Sequence, residues 1–186
     1  KNKDGNMDVE EDKNWRNIII QGDNLQFLKT CYLNQDPLIK DKVKGKVKLI
    51  YIDPPFAVQA DFKGKSGEYS YSDKINRSEF LETLRERLIF LRELLAVDGS
   101  IYIHLDQKMS HYVKIIMDEL FGKENFRNEI IWCYTGPGAP HQQQYSRKHD
   151  ALLYYSNSTK WIFNDEAVRL DSTVHSGGFG EGMGDK

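Results

Sequence analysis

The alternation of apolar and polar positions divides the chain into short buried runs separated by helical stripes. Asn17–Gln21 (NIIIQ) is a β-branched run that stops at Gly22, and it predicts a first strand. Asp23 then stands where an N-cap is needed, with Leu25, Leu28 and Tyr32 following at helical spacing. Val47–Ile52 (VKLIYI) is almost continuously apolar. Such a run suits a strand buried on both faces, hence a parallel sheet with helices on each side. It ends at Asp53-Pro54-Pro55-Phe56, because two prolines donate nothing to a ladder.

The same reading continues downstream. Ser78 opens a helix with Phe80, Leu84, Leu88, Leu91 and Leu95 on one stripe and Gly99 as its stop. Ser100–Leu105 (SIYIHL) predicts a strand, and Asp106 caps a helix ended by Gly122. The apolar face of that helix is Met109, Tyr112, Val113, Ile116, Met117 and Leu120. Asn128–Tyr134 (NEIIWCY) reads as a further strand, and 151–155 with 161–163 as a short hairpin. Strands alternating with helices predict an α/β fold, its sheet mainly parallel with a C-terminal antiparallel hairpin.

Four segments lack periodicity. Residues 1–16 read as a mobile arm, 135–149 as a Gly/Pro/Gln loop, and the stretch from Asp171 as an unpacked Gly-rich tail. Residues 57–77, with Gly64, Gly67, Tyr69 and Tyr71, are too long and too polar for an ordinary connection. They are expected to be mobile without a ligand and to close as a lid. The organisation is therefore an arm over 1–16, one structured unit over 17–164, and a tail over 165–186.

Composition narrows the class. A chain of 186 residues is about one domain and can bury a full core. With 39% apolar and 29% charged residues it is globular rather than disordered. Twenty-six Lys+Arg less 28 Asp+Glu leave −2, which gives no sign of a polyanion-binding protein, although a basic groove can hide in a neutral total. Lys40, Lys42, Lys44, Lys46 and Lys48 alternate along one loop, where a solvated surface outweighs a nucleic-acid contact. Two separated cysteines, Cys31 and Cys133, make neither a zinc site nor a disulfide framework, so no metal and a reducing, cytoplasmic compartment are expected. No apolar run approaches the roughly 20 residues of a membrane span, and the polar N-terminus is unlike a signal peptide.

In open parallel sheets ligands bind outside the carboxyl ends of the strands. Gly22-Asp23, Asp53-Pro54-Pro55-Phe56 and His104-Leu105-Asp106 fall at such ends and would share one rim. An aspartate after a strand is usually a helix cap, and a lone histidine is usually structural. The tetrad is harder to dismiss as a turn, because an exposed Phe56 gains nothing there. A planar heteroaromatic amine can stack on Phe56 and donate its two N–H bonds to the Asp53 carboxylate and the Pro54 carbonyl. Both groups are acceptors, so a keto oxygen finds no donor. Drawing out the N–H bonds leaves the nitrogen lone pair nucleophilic, and accepting from the developing cation stabilises the transition state. A base has to leave its duplex to reach such a site.

At these residues the sequence resembles a known family. LIYIDPPF resembles the catalytic motif of permuted-order amino-group DNA methyltransferases, the DNA methylase N-4/N-6 family. IIQGDNLQFL, FLRELLAVDGSIYIHLD, YVKIIMDELFGKENFRNEIIW and RKHDALLYYS resemble the family's flanking segments, in order, over residues 17–164. The likeness is especially close to adenine methyltransferases that serve as modification subunits of type III systems. It implies a Rossmann-like sheet and S-adenosylmethionine as cofactor. It implies transfer of a methyl group to adenine N6 in a flipped-out base, with Asp53, Pro54, Pro55 and Phe56 as the catalytic set. Asp23 is then a cofactor candidate, and His104, Asp106, Lys148 and His149 are substrate or DNA candidates. Double-stranded DNA, a restriction subunit and a second copy of the chain are the implied partners.

The alternatives are cytosine N4 as acceptor, or a non-catalytic remnant that binds DNA or a partner. The family's F-x-G-x-G cofactor loop is missing from this sequence, and SGGFGEG at 176–182 has no buried strand before it. The sheet is therefore expected to be incomplete in this chain. Two further strands should lie between the strand ending at Gly22 and the one ending at Asp53, and the recognition region should begin after about residue 165.

Overall fold

The computed structural model describes residues 17–55, 77–135, 145 and 147–169. The arm over 1–16, Phe56, the lid segment 57–76, most of the loop over 136–146 and the Gly-rich tail lie outside the described residues. In chain order the elements are α1 (Asn24–Leu33), β1 (Val47–Ile52), α2 (Arg77–Leu94), β2 (Leu95–Asp106), α3 (Ser110–Phe121), β3 (Phe126–Cys133) and β4 (His149–Ser156).

The four strands form one sheet in the order β1-β2-β4-β3. β1 runs parallel to β2, while β4 is antiparallel to both β2 and β3. The fold is thus mixed α/β. Its antiparallel hairpin is made by β3 and β4, not by 151–155 with 161–163, and residues 161–163 form no strand. β4 inserts beside β2 and so occupies the edge where another parallel strand would have paired. Among the described residues one of three pairings is parallel, and the far edge of β1 is unpaired.

Packing follows the pleat. Ile50, Ile101, Ile103, Leu105, Leu153 and Tyr155 point to one face and join Phe80, Leu84 and Leu88 of α2 and Val113, Ile116, Met117 and Phe121 of α3 in the main core. α1 adds a smaller cluster in which Leu28 and Cys31 meet Leu94 of α2. Burial raises the Cys31 thiol above its ordinary pKa, with Asp36 adding to the shift.

Two boundaries differ from the sequence reading. Residues 17–21 form no strand, and Ile18 and Ile19 are 72% and 98% exposed. A β-branched run becomes a strand only when a neighbour takes its hydrogen bonds, and no described strand lies beside it. α2 ends at Leu94 instead of running on to Gly99. Gly45 N–H donates to the Glu93 carbonyl, and the Asn157 side-chain amide donates to the carbonyls of Leu95 and Ala96, so the chain leaves the helix early. Gly99 lies within β2, where an added Cβ would stand 2.7 Å from the Val47 carbonyl oxygen. Its lack of a side chain permits close approach of two strands rather than stopping a helix.

The lysine loop is largely tied down. Lys42 and Lys46 donate to the backbone carbonyls of Leu38 and Asp41, Lys44 lies over the Tyr32 ring, and Lys48 pairs with Asp98 at 2.5 Å. It leads into the start of β1, of which Lys48 is the second residue, at the opposite end of that strand from Asp53. Among the described residues no helix is long and apolar enough to cross a membrane.

Candidate active site at the carboxyl end of the sheet

β1 delivers Asp53 to the rim. Ile50 and Ile52 pack towards the helices, so Leu49, Tyr51 and, by the same alternation, Asp53 face the other way. The register of β2 and β4 places His104, Asp106 and Asp150 on that same face. His104 is central to the cluster. Its Nδ1 lies 3.0 Å from the Tyr51 hydroxyl and 3.9 Å from Asp53 Oδ2, and its Nε2 lies 3.3 Å from Asp150 Oδ2. The side chains of His104 and Asp150 are 20% and 22% exposed, whereas that of Asp53 is 56% exposed. Asp53 thus presents its carboxylate to solvent, and the other two hold the rim from behind. Further along this face the rings of Tyr102 and Tyr154 stack with centroids 4.4 Å apart. Burial, with Tyr154 alongside, pushes the Tyr102 phenol up to about 12.

The remaining candidates separate from this cluster. The Asp106 carboxylate caps the turn into α3, accepting from the N–H groups of Lys108 and Met109 at 3.0 and 2.9 Å. Asp23 accepts from Gln26 N–H at 2.9 Å and so caps α1, as its position suggested. His149 alternates onto the helix-packed side of β4, away from Asp150. Lys148 is half-buried, and its carbonyl accepts from Tyr134 N–H. Tyr51 and Asp150 were not singled out from sequence. Tyr51 was traceable as the same-face neighbour of Asp53, two residues back in an extended strand. Asp150 could be found only through the antiparallel register of β4 on β2. Among the described residues no three His, Cys, Asp or Glu side chains are arranged to hold a metal ion.

The arrangement is a rim of acceptors on a parallel strand, at the place where open sheets bind ligands. A family profile described as DNA methylase, of the N6/N4 type, matches residues 47–177, from the start of β1 onwards. The chain belongs to the N6/N4 DNA methylase family. Similar DNA methylases include the type II methyltransferase M.EcaI of Enterobacter cloacae, 38% identical over 131 residues, which are 70% of this chain and 29% of the relative. The probable type III restriction-modification enzyme HindVI Mod subunit of Haemophilus influenzae is 40% identical over 114 residues, 61% of this chain and 13% of that one. The chain therefore spans less than a third of the length of these curated relatives. Among solved structures, the M1.HpyAVI–SAM complex superposes with a TM-score of 0.51 at 16% identity, covering 82% of this chain and 60% of that one. That likeness is one of fold.

Proposed function

We propose that the whole protein transfers a methyl group from S-adenosylmethionine to the exocyclic N6 amine of an adenine flipped out of double-stranded DNA. The observation that carries this reading is the exposed Asp53 carboxylate, followed by two prolines, at the carboxyl end of β1. Asp53 and the Pro54 carbonyl accept the two amine hydrogens, which holds the nitrogen lone pair outward and stabilises the charge that grows on it. Phe56 supplies the stacking ring for the base. Aspartate at the head of the tetrad supports adenine over cytosine, as does similarity to a Mod subunit. By the same likeness the protein works in the cytoplasm beside a restriction subunit, as a dimer.

S-adenosylmethionine, when bound, supplies the electrophilic methyl group. Among the described residues the outer edge of β1 is unpaired, and the Asp23 carboxylate is engaged in a helix cap. What this chain contributes is the acceptor side of the reaction.

The test is methyl transfer by the full-length protein to duplexes that carry either adenine or cytosine as the only methylatable base of the target site. Asp53→Ala should lower transfer to adenine by about 10²–10³-fold or more, with DNA affinity nearly unchanged, because Asp53 acts on the transition state. Near-normal turnover by that variant would sink the assignment, and labelling of cytosine alone would move it to N4.

A further inference from the structure

β3 carries an exposed apolar row on the acceptor face of the sheet. Asp150 lies on that face with His104, and Trp132 pairs with Asp150 while Ile130 pairs with Leu152. Facing residues of an antiparallel pair share a side, so Ile130 and Trp132 belong to the face of Asp53. The ladder continues past Cys133, the last residue of β3, because Tyr134 N–H donates to the Lys148 carbonyl at 3.2 Å. Tyr134 therefore follows Trp132 on the same side. Trp132 is 61% exposed and Tyr134 46%. An exposed aromatic row beside a candidate site marks a surface for a partner.

Charge selects the partner. Between Trp132 and Asp150 the sequence has no Asp or Glu, and it includes Arg147 and Lys148. Arg147 is exposed at the opening of the β3–β4 hairpin. The carboxylates on the same rim are engaged, Asp150 with His104 and Asp106 with the N–H groups of Lys108 and Met109. A basic hairpin end with exposed rings suits a polyanion whose sugars offer apolar faces between the phosphates. We propose, resting on the function proposed above, that the open end of the β3–β4 hairpin is a contact surface for the sugar-phosphate backbone of the DNA flanking the target adenine. The Trp132 and Tyr134 rings pack on deoxyribose, and Arg147 pairs with a phosphate.

The strand register sets the distance of that contact from the target. Asp53 follows Ile52, which pairs with Ile103, so it sits beside His104. Trp132 pairs with Asp150, and Asp150 with Asp106, two residues further out. In the order β1-β2-β4-β3, β1 and β3 are three strand spacings apart, about 14 Å, and the two residues add about 7 Å along the strands. The separation is roughly 16 Å, which is about four to five steps of about 3.4 Å along a duplex strand.

The experiment is duplex binding by the full-length protein, read by fluorescence anisotropy over a range of salt concentrations, with duplexes trimmed stepwise on either side of the target site. On a long duplex, Trp132→Ala should weaken binding about tenfold, whatever bases flank the site. Arg147→Ala should lower the slope of log Kd against log salt by about one, and Arg147→Lys should restore it. Trimming one side to within about three base pairs of the target should cost the wild type as much as Trp132→Ala does, and that variant should then lose nothing more. A purely structural role for Trp132 would weaken binding to every duplex alike. Equal losses on long and trimmed duplexes, or an unchanged salt slope in Arg147→Ala, overturn the proposal. A loss that varies with the flanking bases overturns the backbone contact in favour of base reading. If Trp132→Ala fails to fold, Trp132→Phe replaces it in the trimming series, and Arg147→Ala, at an exposed residue outside the strands, still decides. Failure of the functional reading looks different: the binding series behaves as described while no methyl group reaches the DNA. A protein that binds no duplex overturns both.

Discussion

Ile101 and Ile103 have no exposed surface, whereas Ile18 and Ile19, in an equally β-branched run, are 72% and 98% exposed. The first pair lies in β2, which has β1 on one side, β4 on the other and α2 and α3 beneath. The second lies near the amino end of α1, with no strand beside it among the described residues. Leu49 and Tyr51 of β1 share its condition at 62% and 55% exposed, on a strand paired, among the described residues, along one edge. Intrinsic preference is the same in both regions, so it does not decide which becomes core. Neighbours decide it, and among the described residues β1 sits at the boundary: one edge closed, one open, with Asp53 at its tip. An unpaired edge with apolar side chains is a template for another strand, and proteins rarely leave one uncovered.

Truncation measures this contrast directly. Ile103→Ala should cost about 2–5 kcal/mol of stability in urea unfolding of the full-length protein, since it opens a cavity in packed surroundings. Leu49→Ala should change stability by less than about 0.5 kcal/mol, as exposed substitutions do. Equal losses would break the comparison and show that a segment beyond those described covers Leu49.

A smaller effect is expected at the seam between the regions. Gly99→Ala sets a methyl group 2.7 Å from the Val47 carbonyl oxygen, a backbone atom that moves only with its strand. The strain should cost roughly 1–3 kcal/mol. It should also slide β1 against β2, so methyl transfer should fall further than the melting temperature alone predicts. A variant with wild-type stability would mean that the two strands have room to part.

The closed region was largely legible in the sequence and the open one was not. VKLIYI and SIYIHL announced β1 and β2 as strands, and the stripe from Phe80 to Leu91 announced α2. The expected burial of β1 on both faces is not met: Leu49 and Tyr51 are exposed, and the described helices α2 and α3 pack on the Ile50 face. Asp53 at a strand end and Asp23 as a cap followed from local chemistry alone. The strand order was not local. Nothing near Asp150 shows that β4 will lie antiparallel to β2, so its meeting with His104 across 46 residues of chain was invisible. Gly99 misled for a related reason: a glycine after a helical stripe reads as a stop, and only the partner strand reveals a close approach. The run at 17–21 failed in the opposite direction, since its pattern satisfied a strand while the neighbour it needs is missing from the described residues.

The smallest expected effect compares two ion pairs, one from each region. Burial pushes the Asp118 carboxyl up, but hydrogen bonds from Lys114 and Tyr155 outweigh it and hold the group below the usual carboxylate range. At the start of β1, a hydrogen bond from Lys48 lowers Asp98 in the same sense. A carboxyl lowered by folding adds stability above its unfolded pKa and loses it as pH falls through the folded one. Both Asp118→Asn and Asp98→Asn should therefore cost stability at neutral pH, with the deficit closing below about pH 4. Salt separates them. Asp98 and Lys48 meet in solvent, where about 1 M salt shortens the screening length to about 3 Å, so their contribution should vanish. Asp118 also holds the Tyr155 hydroxyl at 2.6 Å beside the core, and that hydrogen bond does not depend on a distant counter-charge. Urea unfolding at pH 7 in low and high salt should leave a deficit for Asp118→Asn and none for Asp98→Asn. Equal salt sensitivity would show that the Tyr155 contact is as open to water as the edge of β1.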